Sequence, residues 1–221
     1  IKIMARILYD LCAADDLRFS PYCWRVKLAL FHKGLCFQTR PVRFTEKYKL
    51  EFSGQTLVPV LDDNGTTVTG SWKIAEYLED TYSKAPILFP GNEGRHLAKL
   101  TSEWIDNQHK EILSFFVLDI LNKLDPKDRT YFRSSREERY GKRLEEVQSD
   151  RKKRIKEFRE VNLAALRAHI TDRHFISGQQ PAYGDFAVFG TFQWARLVSE
   201  FDLLEEEDPV YAWRDRMIKR T

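Results

Sequence analysis

Up to about Tyr82, apolar positions come in short runs whose period switches between that of a strand and that of a helix. Arg6 to Ala13 (RILYDLCA) is rich in strand formers, and after the polar Ala14-Asp15-Asp16 the residues Cys23, Val26 and Leu30 share one helical face. Gly34 stops that helix. CFQTRPVRF then predicts a second strand, which Pro41 restricts to an edge or a bulge. In TLVPVLDDNGTTVTG two strand-like runs flank Asn64-Gly65, a dipeptide suited to a tight hairpin. Ser71 is placed to cap a following helix whose Ala75, Leu78 and Tyr82 lie on one face. The order β-α-β-(short helix)-β-β-α predicts a small α/β unit with a mixed sheet.

The pattern changes after SKAPILFPGNEG, which reads as a linker. Beyond Arg95 strand signals fade and helical periodicity takes over, so the predicted division is 4–83, a linker at 84–94 and an all-helical 95–221. Ile155, Phe158, Val161, Ala165 and Ala168 predict a core-facing stripe. RSSREERYGKRLEEVQSDRKKR is charged densely enough to read as a solvated helical face. There are no repeats, and the five histidines show no ligand spacing, so no metal is expected.

Composition narrows the function classes. A chain of 221 residues with 43% hydrophobic side chains can fill a core of one large or two small domains. Its 36 basic and 33 acidic groups nearly cancel to +3, which argues against a nucleic-acid binder and is compatible with a small anionic ligand. Cys12, Cys23 and Cys36 are too few and too scattered for a disulfide framework, so a reducing cytoplasm is expected. No signal-peptide pattern and no membrane-length apolar run is present, which predicts a soluble protein with no membrane partner. Ile1-Lys2-Ile3, ahead of Met4, carry no weight in the reading.

Candidate chemistry begins at FSPYCWRVKLAL, a Cys-Pro-Tyr-Cys redox turn with Ser20 in place of the first cysteine. Ser20-Pro21 is a good helix start, serine as cap and proline at the first helical position. The same place is an anion site, where free N–H groups and the dipole favour a thiolate. Val58-Pro59 interrupts a strand-like run; it is either an ordinary edge proline or a cis bond that turns the Val58 backbone outward to pair with an extended peptide. Ser71 poses the same choice between cap and carboxylate binder. Cys23, on the apolar face, reads as a small packed hydrophobe.

Ser-Pro at the first helix, Val-Pro before a hairpin, and Ser at the next helix, followed by a helical half, resemble the glutathione transferases. FISGQQPAYGDFAVFG is similar to that superfamily's helix-capping segment, with Asp185 at the acidic position and Ala182 where Ser or Thr is usual. SPYCWRVKLALFHKGL, RFTEK, SWKIAEYLEDTY, LDPKDRTYFRSSREERYGKRLEEVQSDR and FQWARLVS most resemble the bacterial β-aryl-etherases and their fungal etherase-related cousins. The resemblance implies a thioredoxin-like N-terminal domain, an all-α C-terminal domain, glutathione as co-substrate and a homodimer. It implies that Ser20 hydrogen-bonds the glutathione sulfur, Val58 pairs with the cysteinyl part beside a cis Pro59, Ser71 takes the γ-glutamyl carboxylate, and Gln55 helps at the glycyl end. Gly70 stands where an acidic residue commonly precedes that serine. Asp106 is a candidate carboxylate across the dimer interface.

The implied activity is attack of glutathione thiolate on an electrophilic, aromatic substrate, with β-aryl ether cleavage as one form. The alternatives are a protein that stores aromatic ligands beside glutathione, and a thiol-exchange enzyme. Trp104, Phe115 and Phe116 are the candidates for the aromatic pocket.

Overall fold

A computed structural model describes residues 6–220; Ile1–Ala5, which include the predicted start of the first domain, lie outside the described residues. Strands β1 (Arg6–Leu11), β2 (Gln38–Val42), β3 (Val60–Asp63) and β4 (Thr66–Thr69) form a mixed sheet in the order β2-β1-β3-β4. β1 runs parallel to β2 and antiparallel to β3, so α1 (Pro21–His32) is the crossover between the parallel pair. Pro41 lies on the edge strand, where the missing N–H costs no ladder bond. Asn64 and Gly65 take φ of 55° and 92°, the left-handed pair that a two-residue hairpin requires.

α2 (Ser71–Thr81) follows β4 with no spacer, and its capping position is Gly70, not Ser71. The turn from strand to helix needs φ of +83° there, which glycine adopts freely. Ser71 is therefore the first helical residue.

The remaining chain is helical: α3 (Gly91–Ser114), α4 (Val117–Lys123), α5 (Pro126–Tyr140), α6 (Leu144–Val147), α7 (Arg151–Glu157), α8 (Ala164–Ile170), α9 (Tyr183–Val198) and α10 (Pro209–Ile218). The last residues of the predicted linker, Gly91–Gly94, form the first turn of α3. Among the described residues no helix is long and apolar enough to cross a membrane.

The predicted stripe from Ile155 to Ala168 holds only at its start. Ile155 and Phe158 are buried, but Val161 is 67% exposed, and Leu163, Leu166 and Ile170 are the residues that continue the core. A π-helical turn over Phe158–Asn162 inserts one residue into the turn and rotates the buried face out of simple phase.

α9 is largely apolar and enclosed by the rest of the molecule: all of its 16 residues except Arg196 and Leu197 are buried. It packs on both α1 and α3 and joins the two halves. Gly190 makes that contact close, since a Cβ there would sit 2.6 Å from the Pro21 carbonyl oxygen. Asp185 fixes the head of α9 by accepting from the N–H groups of Ile176 (2.7 Å), Ser177 (3.0 Å) and Ala182 (3.2 Å) and from Trp213 Nε1 (2.9 Å).

Candidate active site

The two halves enclose a cleft of about 380 Å³ whose floor is the head of α1. Ser20 caps that helix: its Oγ accepts from the Cys23 N–H at 3.3 Å, and Pro21 occupies the first position. A serine hydroxyl that accepts from the backbone still has its own proton to donate. Beside it the Tyr22 N–H makes no hydrogen bond among the described residues, because Pro21 and the local turn leave it without an upstream carbonyl. Cys23 is fully buried, and burial with the Asp10 carboxylate pushes its thiol well above the usual range. It is a packing residue.

The α/β wall is built from main chain as much as side chain. Thr56, Leu57 and Val58 line the cleft, the Val58-Pro59 bond is cis, and neither the N–H nor the C=O of Val58 is engaged among the described residues. Gln55 is exposed on the same loop, Pro59 is buried and holds the Gly70 N–H at 3.1 Å, and Ser71 opens α2 with its own N–H and that of Trp72 free of hydrogen bonds among the described residues. The Ser71 carbonyl accepts from the Tyr183 hydroxyl at 2.9 Å, which ties α2 to α9. The loop after β2 adds Arg43, Phe44 and Lys47; fully buried Asp128 pins it to α5 by accepting from the Thr45 N–H (3.0 Å) and Thr45 Oγ1 (2.8 Å).

The helical wall is made of side chains: His109 and Leu113 from α3, Tyr131, Phe132, Arg136 and Arg139 from α5, and Trp194 from α9. Trp104, Phe115 and Phe116 are not among the lining residues. Trp104 is half-buried against the core; Phe115 and Phe116 are wholly enclosed, the first between Phe158 and Phe201 and the second edge-on to Trp194 at 4.9 Å. The aromatic side chains that line the helical wall come instead from α5 (Tyr131, Phe132) and α9 (Trp194). A signal was present: Phe132, Arg136 and Arg139 recur at i, i+4 and i+7, one face of a helix.

Charge in the cleft has one sign. Arg43, Lys47, Arg136 and Arg139 line it and no carboxylate does. His109 is not a fifth cation: burial, with Arg25 adding to it, pushes its pKa down to about 3, and Nε2 lies 2.8 Å from Thr191 Oγ1. Asp106 pairs with Arg25 of the same chain and stays partly exposed, which bridges α3 to α1. A positive cleft with a hydroxyl and an amide at a helix head stabilises an anion, a thiolate among them.

Comparisons with known proteins agree with this architecture. The family profiles "Glutathione S-transferase, N-terminal domain" and "Glutathione S-transferase, C-terminal domain" match residues 19–81 and 97–221. Glutathione S-transferase U28 of Arabidopsis thaliana is 25% identical over 212 residues, covering 93% of this chain and 83% of its own. A glutathione S-transferase of Ceriporiopsis subvermispora, solved in complex with glutathione, superposes with a TM-score of 0.84 at 22% identity, over 98% of each chain. The β-etherase LigF of Sphingobium superposes at 0.67 with 20% identity, over 97% of this chain and 95% of its own. The profile match over more than half the chain, on a mixed sheet followed by helices, shows that the chain belongs to the glutathione S-transferase family.

Proposed function

We propose that the protein is a glutathione-dependent transferase in which Ser20 holds the sulfur of glutathione as a thiolate for attack on an aromatic electrophile. The observation that carries this reading is the convergence of three unspent polar groups on one cleft: the Ser20 hydroxyl, the Tyr22 N–H and the Val58 main chain. Val58 pairs with the cysteinyl part of the peptide, and Ser71 and the open amides of α2 take the γ-glutamyl carboxylate. Gln55 lies beside Thr56 for the glycyl end. A free thiol has a pKa around 8.5, so a depression of about two units makes it mostly ionised at neutral pH. The glutathione complex of the Ceriporiopsis relative supports the ligand, and the β-etherase activity in the Sphingobium protein's name supports ether cleavage as one form of the reaction. Cys23 is buried with a raised pKa, which weighs against thiol exchange.

The test is phenol release from a β-aryl ether model compound, and conjugation of activated aromatic halides, by wild type and Ser20→Ala. Loss of one charge-assisted hydrogen bond lowers turnover by roughly 10- to 100-fold with a smaller change in glutathione affinity. Unchanged turnover in Ser20→Ala leaves Ser20 a cap alone; tight aromatic binding with no turnover by wild type favours the storage reading. The family's usual dimer is proposed too, with the exposed Tyr48, Phe52 and Leu57 of the α/β half as apolar contact surface. Sedimentation then gives roughly double the chain mass of 26.1 kDa; a monomer at micromolar concentration overturns it.

A further inference from the structure

Among the described residues the buried cations follow one rule. Arg6, Arg25, Lys27, Lys33 and Arg214 each meet a carboxylate within 3.2 Å. Burying a charge without such a partner is costly, which is why the rule holds. Arg136, on the helical wall of the cleft, is partly buried and has no such partner. Among the described residues it forms no ion pair, and its one side-chain hydrogen bond goes to Ser135 Oγ at 2.9 Å; its Nε, like those of Arg6, Arg25 and Arg214, is buried without a hydrogen bond. The guanidinium carbon lies over two aromatic rings, 4.5 Å from the Phe132 centroid and 5.2 Å from that of Phe44. These cation–π contacts attract the guanidinium and leave it without a carboxylate partner.

Its neighbours do not answer it either. Arg139 has no ion pair among the described residues, and Lys47 reaches only the ring and hydroxyl of Tyr131. Arg43 is the exception, neutralised by Asp125 at 2.8 Å. Burial and Arg139 together pull the Arg136 pKa down to about 10, so it remains a cation at neutral pH.

We infer that the aromatic co-substrate is itself an anion, a carboxylate-bearing arene whose ring lies among Phe44, Phe132 and Trp194 and whose carboxylate is taken by Arg136 with Arg139. This deepens the transferase reading and rests on it for the reaction, though not for binding. A guanidinium, planar by resonance, presents its donors in the fork geometry that matches a carboxylate. The chemical step stays that of the family: the thiol proton leaves to solvent, the sulfur lone pair forms the C–S bond, and the C–X pair departs with the leaving group. Arg136 recognises the substrate and takes no part in that exchange.

The experiment compares two activated aryl chlorides, chlorodinitrobenzoate and its neutral methyl ester, each rate divided by its uncatalysed rate with glutathione. In wild type the carboxylate is preferred. In Arg136→Gln the preference falls about tenfold or more, as expected for one lost charge-assisted hydrogen bond, and Arg136→Lys recovers part of it. Equal loss with both substrates makes Arg136 a structural residue and overturns the inference. A raised glutathione KM with the preference intact assigns the cation to the peptide's glycyl carboxylate and overturns it too. Should wild type turn over neither compound, the transferase reading fails separately. Calorimetry with dinitrobenzoate, which has no leaving chloride, and its methyl ester then decides the inference: tighter carboxylate binding lost in Arg136→Gln supports it, and equal affinities overturn it.

Discussion

Helices α1 and α9 pack against each other, with Gly190 of one meeting Pro21 of the other, yet their N-terminal groups are used in opposite ways. At the head of α9, Asp185 is fully buried and accepts four hydrogen bonds. Ala182 has no oxygen to return, so the capping box is half made and the carboxylate takes on the surrounding turn instead. At the head of α1, Ser20 accepts a single bond of 3.3 Å, near the long limit for that geometry. One group is saturated inside the fold; the other keeps capacity and borders the cleft. Spare hydrogen-bonding or ionic capacity beside a cavity marks a ligand position, and saturation marks structure. By the same test the buried ion pairs are structural and Arg136 is not.

The largest expected effect lies on the saturated side. Asp185→Ala strips four donors of their acceptor at once: the α9 cap residue Ala182, two amides of the preceding loop and the Trp213 indole. Stability should fall by about 3–5 kcal/mol, the range reached when a buried polar network is broken. Urea unfolding measures it. A loss under about 1 kcal/mol would mean that water or a neighbour satisfies these donors, and saturation would no longer separate the two helix heads.

What the sequence made legible follows the same division. The order of strands and helices to Tyr82, the edge position of Pro41, the Asn64-Gly65 hairpin and the Ser20 cap all rest on local chemistry and hold in the structure. Ser71 was misplaced by one residue because serine is the common capping type, whereas the direct passage from β4 into α2 demands glycine at that point. The stripe after Ile155 failed at a π turn, which no simple period encodes. The helical wall was least legible. Arg136 and Arg139 sit inside a run whose charge density signals solvent, and only the fold brings α5 over the loop that carries Phe44. Main-chain sites announce themselves by residue type; a wall assembled from distant helices is decided by packing.

A smaller effect is expected at His109, which lies between the two helices, edge-on to Tyr22 at 5.2 Å and to Trp194 at 5.5 Å. Burial holds its pKa near about 3, below the unfolded value, so the fold favours the neutral ring. That contribution is fully present above about pH 6.5 and is lost as pH falls toward 3, at no more than about 1.4 kcal/mol per pH unit for one proton. Unfolding free energies from pH 6.5 down to 4 should decline less steeply in His109→Gln than in wild type, the other groups cancelling in the difference. Parallel curves would show that the ring is protonated without penalty, and His109 would join the cations of the cleft.

The smallest expected change in stability is at Ser20, and it sharpens the comparison most. Replacing a capping serine by alanine costs about 1 kcal/mol in a typical helix. Here the bond is long and Pro21 already fixes the first helical φ, so roughly 0.5–1 kcal/mol is expected for Ser20→Ala. The same substitution removes the hydroxyl that faces the cleft, so turnover should fall far more than the fold weakens. Thermal unfolding of the variant, set beside its conjugation rate, reads both quantities from one protein. A stability loss as large as that of Asp185→Ala would place Ser20 on the structural side, and the distinction between a saturated helix head and an available one would have to rest on Arg136 alone.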